Sequence, residues 1–293
     1  MRRLQLVELH ETRWFPGVWR DLITDFLAHY AVTFRPYAHV VELLARALRQ
    51  AGTTRLVDLG AGGGCTALGL KPALDEALGA PVTVVLTDKY PNLNAFAAVA
   101  ARFPGEVEVV TESVDATSVP ATLDGFRTLF TSFHHFEPQR ARAILANAAR
   151  SGRGIGVFEY TERRPLLWTL PLILIPALIW CVTPFMRPLT WRRVLWTYLL
   201  PVVPLVAVLD GVVSVLRSYS PDELLRMVEG LDLDGYSWRV GRARSLAVSR
   251  VTYLIGLPGA PGVPATSHTL SAGSSTATVE PRPTSLDTRI APR

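Results

Sequence analysis

Cysteine and charge are scarce in this chain. Cys65 and Cys181 are the two cysteines among 293 residues. They lie far apart, and neither has a histidine at ligand spacing. This argues against a disulfide framework and a Cys/His zinc centre, and no metal is expected; a reducing, cytoplasmic setting is the plain expectation. Lys, Arg, Asp and Glu make up only 19% of the residues, and the net charge of +5 is spread over isolated arginines. A dense basic block is missing, as is a stripe of interleaved aromatic and basic residues, so nucleic acid is not an expected partner. The opening Met1-Arg2-Arg3 is followed by Glu8, His10, Glu11 and Arg13, and no apolar signal core develops there.

Apolar residues are plentiful, at 49%, enough for one large core. Residues 1–50 read as helical, with apolar spacing over Val18–Tyr30 and Tyr37–Gln50 and a stop at Gly52. From Arg55 short apolar runs alternate with helical ones. Strands are expected at Leu56–Leu59, Val82–Thr87, Val107–Val110, Leu129–Phe133 and Ile155–Tyr160, and helices at Thr66–Leu78, Asn92–Arg102 and Pro138–Arg150. Further on, Ser220-Pro221-Asp222-Glu223 reads as a capping box opening a helix that Gly230 ends. Ser237–Val240 and Val251–Ile255 read as a closing hairpin. The fold expected is α/β: a doubly wound, mostly parallel seven-stranded sheet with helices on both faces, plus an apolar helical insertion after the fifth strand.

The first strand runs into Asp58-Leu59-Gly60-Ala61-Gly62-Gly63-Gly64 and then a helix. Such a turn needs positive φ and bare backbone for close approach, and the helix N-terminus adds free N–H groups and a positive dipole end. The spacing is G-x-G-x-G, with an acid two residues before the first glycine. Acids also follow the second strand (Asp88) and the third (Asp115-Ala116). Over Leu56–Tyr160 the chain resembles the class I S-adenosylmethionine-dependent methyltransferases. The resemblance implies that Gly60, Ala61, Gly62 and Gly64 cradle S-adenosylmethionine. It puts Asp58 near the methionine part, Asp88 on the ribose hydroxyls, Asp115 and Ala116 at the adenine, and Ser132 beside the cofactor.

The fourth strand ends Ser132-Phe133-His134-His135, at the edge where an open α/β sheet meets its ligands. The resembled family commonly carries paired histidines here. Neighbouring residues on an extended strand point to opposite sides, so one histidine faces the methyl group. His135 is taken as that pocket residue and base, with His134 packed against the cofactor or a helix. Glu159, at the end of the fifth strand, is a second candidate for acceptor contact. The Asn/Asp-Pro-Pro-Tyr/Phe type of motif found in base-methylating enzymes is not at this strand end, again pointing away from nucleic acid.

The chain divides into an N-terminal helical cap (1–52), a cofactor-binding core (53–164), an apolar insertion (165–217), the end of the core (218–257) and a disordered tail (258–293). Pro165–Met186 and Val194–Leu209 carry no charge but are broken by prolines, while their connector holds Arg187, Arg192 and Arg193 with Trp191 and Trp196 nearby. This suits either a lid or a re-entrant, membrane-associated hairpin at the cytoplasmic face of the membrane, with peripheral contact through 165–209. Asp210 and Arg217 are candidates for pairing or for acceptor contact, and Trp14, Phe15 and Trp19 for closing the pocket. The function expected is methyl transfer to a small apolar or lipid-like acceptor. The alternatives are a nicotinamide-dependent reductase on a similar sheet and a non-catalytic methyltransferase-like membrane-associated binding protein.

Overall fold

The structure, a computed structural model, describes residues 2–163, 170–231, 235–244 and 250–259. The expected tail therefore lies outside the described residues apart from Pro258 and Gly259.

Five parallel strands, β1 (Arg55–Leu59), β2 (Thr83–Thr87), β3 (Val107–Val109), β4 (Phe126–Phe130) and β5 (Ile155–Glu159), are joined by an antiparallel pair, β6 (Ser237–Arg244) and β7 (Arg250–Leu257). The order is β3-β2-β1-β4-β5-β7-β6, and β7 lies antiparallel to β5. The order reverses between β1 and β4, which opens a crevice at their carboxyl ends. Helices α1 (Gly17–Phe34), α2 (Val41–Ala51), α3 (Cys65–Leu78), α4 (Leu93–Arg102) and α5 (Pro138–Arg150) precede the fifth strand. Pro72 sits inside α3 without ending it. The apolar faces of the sheet are each covered, one by α2 and α3 around Leu44, Leu48, Leu70 and Leu74, the other by α5 around Ile144 and Leu145.

The fourth strand starts and ends three residues earlier than the apolar run Leu129–Phe133 suggests. Arg127 hides it in sequence, because a charge interrupts the apolar pattern. In the fold that side chain is buried (1% exposed) and donates to Asn147 Oδ1 at 2.7 Å on α5. The first sixteen residues also differ from expectation: among those described, the one helical element is a 3-10 turn, Leu9–Glu11.

After the fifth strand the chain forms α6 (Leu170–Val182), a 3-10 turn (Thr183–Phe185), α7 (Trp191–Val194) with a π-helical turn (Leu195–Leu199), and α8 (Val202–Arg217). Phe15, Leu22 and Phe26 pack there against Ile179, Val182, Met186, Val203 and Val206 in a third apolar cluster. Trp19 meets Trp196 edge-on at 5.2 Å. Phe15 and Trp19 thus serve as packing, whereas Trp14 is exposed. No single described helix is long and apolar enough to cross a membrane. Trp191–Leu199 and α8 would suffice together but are bent by 68°. The capping box at Ser220 forms as expected and opens α9 (Pro221–Val228).

Candidate active site

The turn leaving β1 is built for close approach. Gly60, Gly62 and Gly64 have φ of 73°, 56° and 74°, a region that strains other residues. A Cβ on Gly60 would touch only Ser132, whose Oγ would lie 3.7 Å away, and one on Gly62 would meet open space. A Cβ on Gly64 would fall 2.5 Å from Leu86 Cδ1, so the third glycine is what lets α3 dock against β2. Ala61 N donates to the Thr87 carbonyl at 2.9 Å and Gly64 N to the Ala61 carbonyl at 2.7 Å, which fixes the turn. The Ser132 hydroxyl is buried and has no hydrogen-bond partner.

Asp58, on β1, is 3% exposed, and its carboxylate accepts from the Thr128 hydroxyl at 3.1 Å. Burial pushes its carboxyl up to about 7; the Thr128 hydrogen bond offsets part of this and the charge of Asp88 adds to it. Asp88 accepts from Gly62 N at 2.9 Å through one oxygen and from Tyr90 N at 2.8 Å through the other, tying the second strand end to the glycine turn. Asp115 is brought close by Val114 N donating to the Asp88 carbonyl at 2.9 Å. One of its oxygens is held by Lys89 at 2.7 Å and Arg140 at 3.0 Å, the other by the amide and hydroxyl of Thr117. The Lys89 ammonium and the Thr117 donors hold its carboxyl well below the usual range. An adenine amine would have to share Asp115 with two cations, so of the three acids it is the least free for a ligand; Ala116 beside it is buried.

The two histidines are not on a strand. β4 ends at Phe130, Thr131 takes a positive φ of 45°, and Phe133–His135 forms a 3-10 turn. Alternation of sides therefore does not apply: the rings lie 4.2 Å apart, tilted by 33°, and face the same neighbours. Glu159 organises this turn. It is 3% exposed, its Oε1 accepts from Phe133 N at 2.8 Å and His134 N at 3.2 Å, and its Oε2 meets His134 Nδ1 at 2.8 Å. Glu159, expected at the acceptor, thus has both carboxylate oxygens engaged by the turn. His134 is buried, while the side chain of His135 is 26% exposed. Burial alone would lower His134, but Glu159 and Glu8 overcome it and raise the imidazole to about 9. His135 is lowered, by burial and by the charge of His134, with Glu11 and Glu8 opposing.

Sequence reasoning missed the N-terminal partners. Glu8 is 2% exposed, and its Oε1 lies 3.4 Å from His134 Nε2 and 3.9 Å from His135 Nδ1. Glu11 meets His135 Nδ1 at 2.5 Å, and its carboxyl drops to about 2: burial opposes the shift, and His135 and Arg217 outweigh it. Asp210 and Arg217 do not pair with one another. Asp210 accepts from Leu9 N at 2.6 Å, His10 N at 3.2 Å and meets His10 Nδ1 at 2.8 Å; Arg217 donates to Glu11 at 2.7 Å and to the His135 carbonyl at 2.8 Å. The available signal was the Glu8-x-His10-Glu11 cluster, with no spacing to link it to residues 134–135.

No family model matches the sequence, and no curated protein is detectably similar to it. Solved structures are. The plantazolicin methyltransferase BpumL in complex with SAH superposes with a TM-score of 0.55 at 9% identity, over 85% of this chain and 94% of that one. The chain has the class I methyltransferase fold. The same methyltransferase fold superposes on the S-adenosylmethionine-dependent methyltransferase SibL in its apo form, with a TM-score of 0.50 at 15% identity, over 86% of this chain and 61% of SibL. In this methyltransferase fold the glycine turn and the histidine turn flank the same switch point, linked by Ser132 against Gly60.

Proposed function

We propose that this protein transfers a methyl group from S-adenosylmethionine to a small apolar or lipid-like acceptor. The observation that carries the reading is the glycine turn ringed by Asp58 and Asp88, on a fold shared with a methyltransferase solved with SAH. Carboxylates suit a ligand bearing a sulfonium and an ammonium and are poor neighbours for a pyrophosphate. That disfavours the nicotinamide reductase. The unpartnered Ser132 hydroxyl supports a ligand at Gly60. The acceptor would meet the edge where His135 is partly exposed, with His134 and Glu159 buried beside it.

The acceptor class is argued from the insertion. Trp180, Phe185, Trp191, Leu199 and Leu205 are exposed on it, and Arg187 and Arg192 are exposed among them. Apolar side chains rimmed by arginine suit an apolar acceptor or a peripheral contact with a lipid surface.

The test is transfer of a labelled methyl group into a fractionated cell extract, with lipid and aqueous phases counted separately. Label in the lipid phase is expected; label confined to polar amines overturns the acceptor class. Calorimetry on the pure protein checks the cofactor. S-adenosylhomocysteine should bind, and Asp88→Ala should weaken it by about 1–3 kcal/mol through lost charge-assisted hydrogen bonds. Silence with that ligand and binding of a nicotinamide dinucleotide would reverse the reading.

A further inference from the structure

Three side chains at the histidine turn are arranged as ligands around a shared point. Glu8, His134 and His135 each offer one ligand atom, and these atoms all lie within 4.8 Å of one another. The separations are longer than hydrogen bonds; that between Glu8 and His134 matches two ligands of one ion, and that between Glu8 and His135 would shorten by about half an ångström on binding. Glu8 Oε1, which accepts from the Ser214 hydroxyl at 2.8 Å, stands 3.4 Å from His134 Nε2 and 3.9 Å from His135 Nδ1, where charge-assisted hydrogen bonds close to about 2.7–2.9 Å; an ion here would displace Glu11 from His135 Nδ1, which it meets at 2.5 Å. A tetrahedral zinc ion with ligands at about 2.0–2.2 Å separates its ligand atoms by roughly 3.3–3.5 Å.

Two independent observations point the same way. His134 Nε2 is fully buried and has no hydrogen-bond partner, although it is aimed at Glu8. On the other side of the ring, His134 Nδ1 is held by Glu159 at 2.8 Å, the carboxylate–histidine arrangement that fixes a metal-binding imidazole with its far nitrogen free. The local charge also favours a cation. Glu8, Glu11 and Glu159 face the two histidines, against the guanidinium of Arg217, which lies 2.7 Å from Glu11 and 3.6 Å from Glu8, and that of Arg3, which is spent on the carbonyls of His134 and Phe136.

We propose that Glu8, His134 and His135 bind a divalent cation of the zinc type. Two imidazoles and one carboxylate form a borderline donor set that suits zinc better than magnesium or calcium. Three protein ligands leave the fourth position of a tetrahedral ion to water or to the acceptor. The site departs from the sequence expectation of no metal, because its donors lie more than a hundred residues apart along the chain. Its chemical use rests on the methyltransferase reading. An acceptor hydroxyl bound as fourth ligand would release its proton to water near neutral pH. Its oxygen pair would then form the bond to the methyl carbon as the carbon–sulfur bond breaks, freeing S-adenosylhomocysteine.

The experiment uses tag-free full-length protein, stripped with a chelator and titrated with zinc against a chromophoric competitor. One equivalent should bind, and cobalt in its place should show the intense visible bands of a tetrahedral site. Glu8→Gln and His135→Ala should each abolish stoichiometric binding, and Glu159→Gln should weaken it by about 10–100-fold. Circular dichroism and S-adenosylhomocysteine calorimetry on each variant report whether it is folded. No zinc bound by the wild type, or undiminished binding in folded Glu8→Gln, overturns the proposal. The two readings fail separately: zinc without S-adenosylhomocysteine binding leaves the ion site and removes the methyltransferase, and the reverse result removes the ion alone.

Discussion

Asp58 is a carboxyl with little water and one hydroxyl partner, and it titrates near neutrality. Its ordinary value is 3.8 and its folded value about 7, so the folded chain holds this proton more tightly than the unfolded one. The contribution to stability is full below about pH 4 and is lost as pH rises to about 7. The ammonium of the cofactor, which S-adenosylhomocysteine retains, prefers the ionised form, so binding expels the proton. Affinity for S-adenosylhomocysteine should therefore climb as pH rises through about 7 and level off above it. In Asp58→Asn the climb should vanish, affinity should fall, and the melting temperature at alkaline pH should rise. Calorimetry across a pH series with parallel thermal melts measures all three, and a variant with an unaltered pH profile contradicts the assignment.

At the scale of elements, the junction of β1 with α3 depends on the space above Leu86. Gly64→Ala adds a Cβ at 2.5 Å from Leu86 Cδ1 in a backbone region hostile to side chains. Denaturant unfolding should show a loss of about 1–3 kcal/mol, with cofactor affinity falling further than for Gly69→Ala, where α3 leaves the added methyl open space. Most elements were legible from the sequence because their signals are local. The alternation of apolar runs located β1, β2, β3 and β5, the Pro138 start located α5, and Ser220 with Glu223 located the cap of α9. β4 lies three residues earlier than its apolar run because Arg127, whose charge interrupts that run, is buried against Asn147, a partner known only once α5 is docked. The histidine turn was misread for a related reason. Thr131, a β-branched residue that ordinarily favours extended backbone, adopts positive φ and ends the strand early.

At the scale of the molecule, the site is closed by the joining of its two distant parts. Leu4 N donates to the Leu216 carbonyl at 3.0 Å, Arg3 to the carbonyls of His134 and Phe136 at 3.0 Å, and Asp210 grips residues 9 and 10. The grouping of Asp58, the glycines and Asp88 was readable because they fall at successive strand ends. The surroundings of the histidine turn were not, because Glu8, Glu11 and Arg217 meet His134 and His135 only through tertiary packing. Asp210→Ala leaves Leu9 N and His10 N without their acceptor. Hydrogen exchange over residues 4–12 should accelerate by about tenfold or more while the sheet stays protected, as expected for a segment that opens locally. Unchanged exchange there would show that the aspartate does not anchor it.

The contact between the first residues and α8 orders events during synthesis. Leu9 and His10 are made before any of the sheet, yet their clasp on Asp210 cannot form until that residue has left the ribosome, some two hundred residues later. All five parallel strands are therefore synthesised before this acidic segment can dock. The histidine edge of the proposed site is thus assembled late, after the glycine edge has been made.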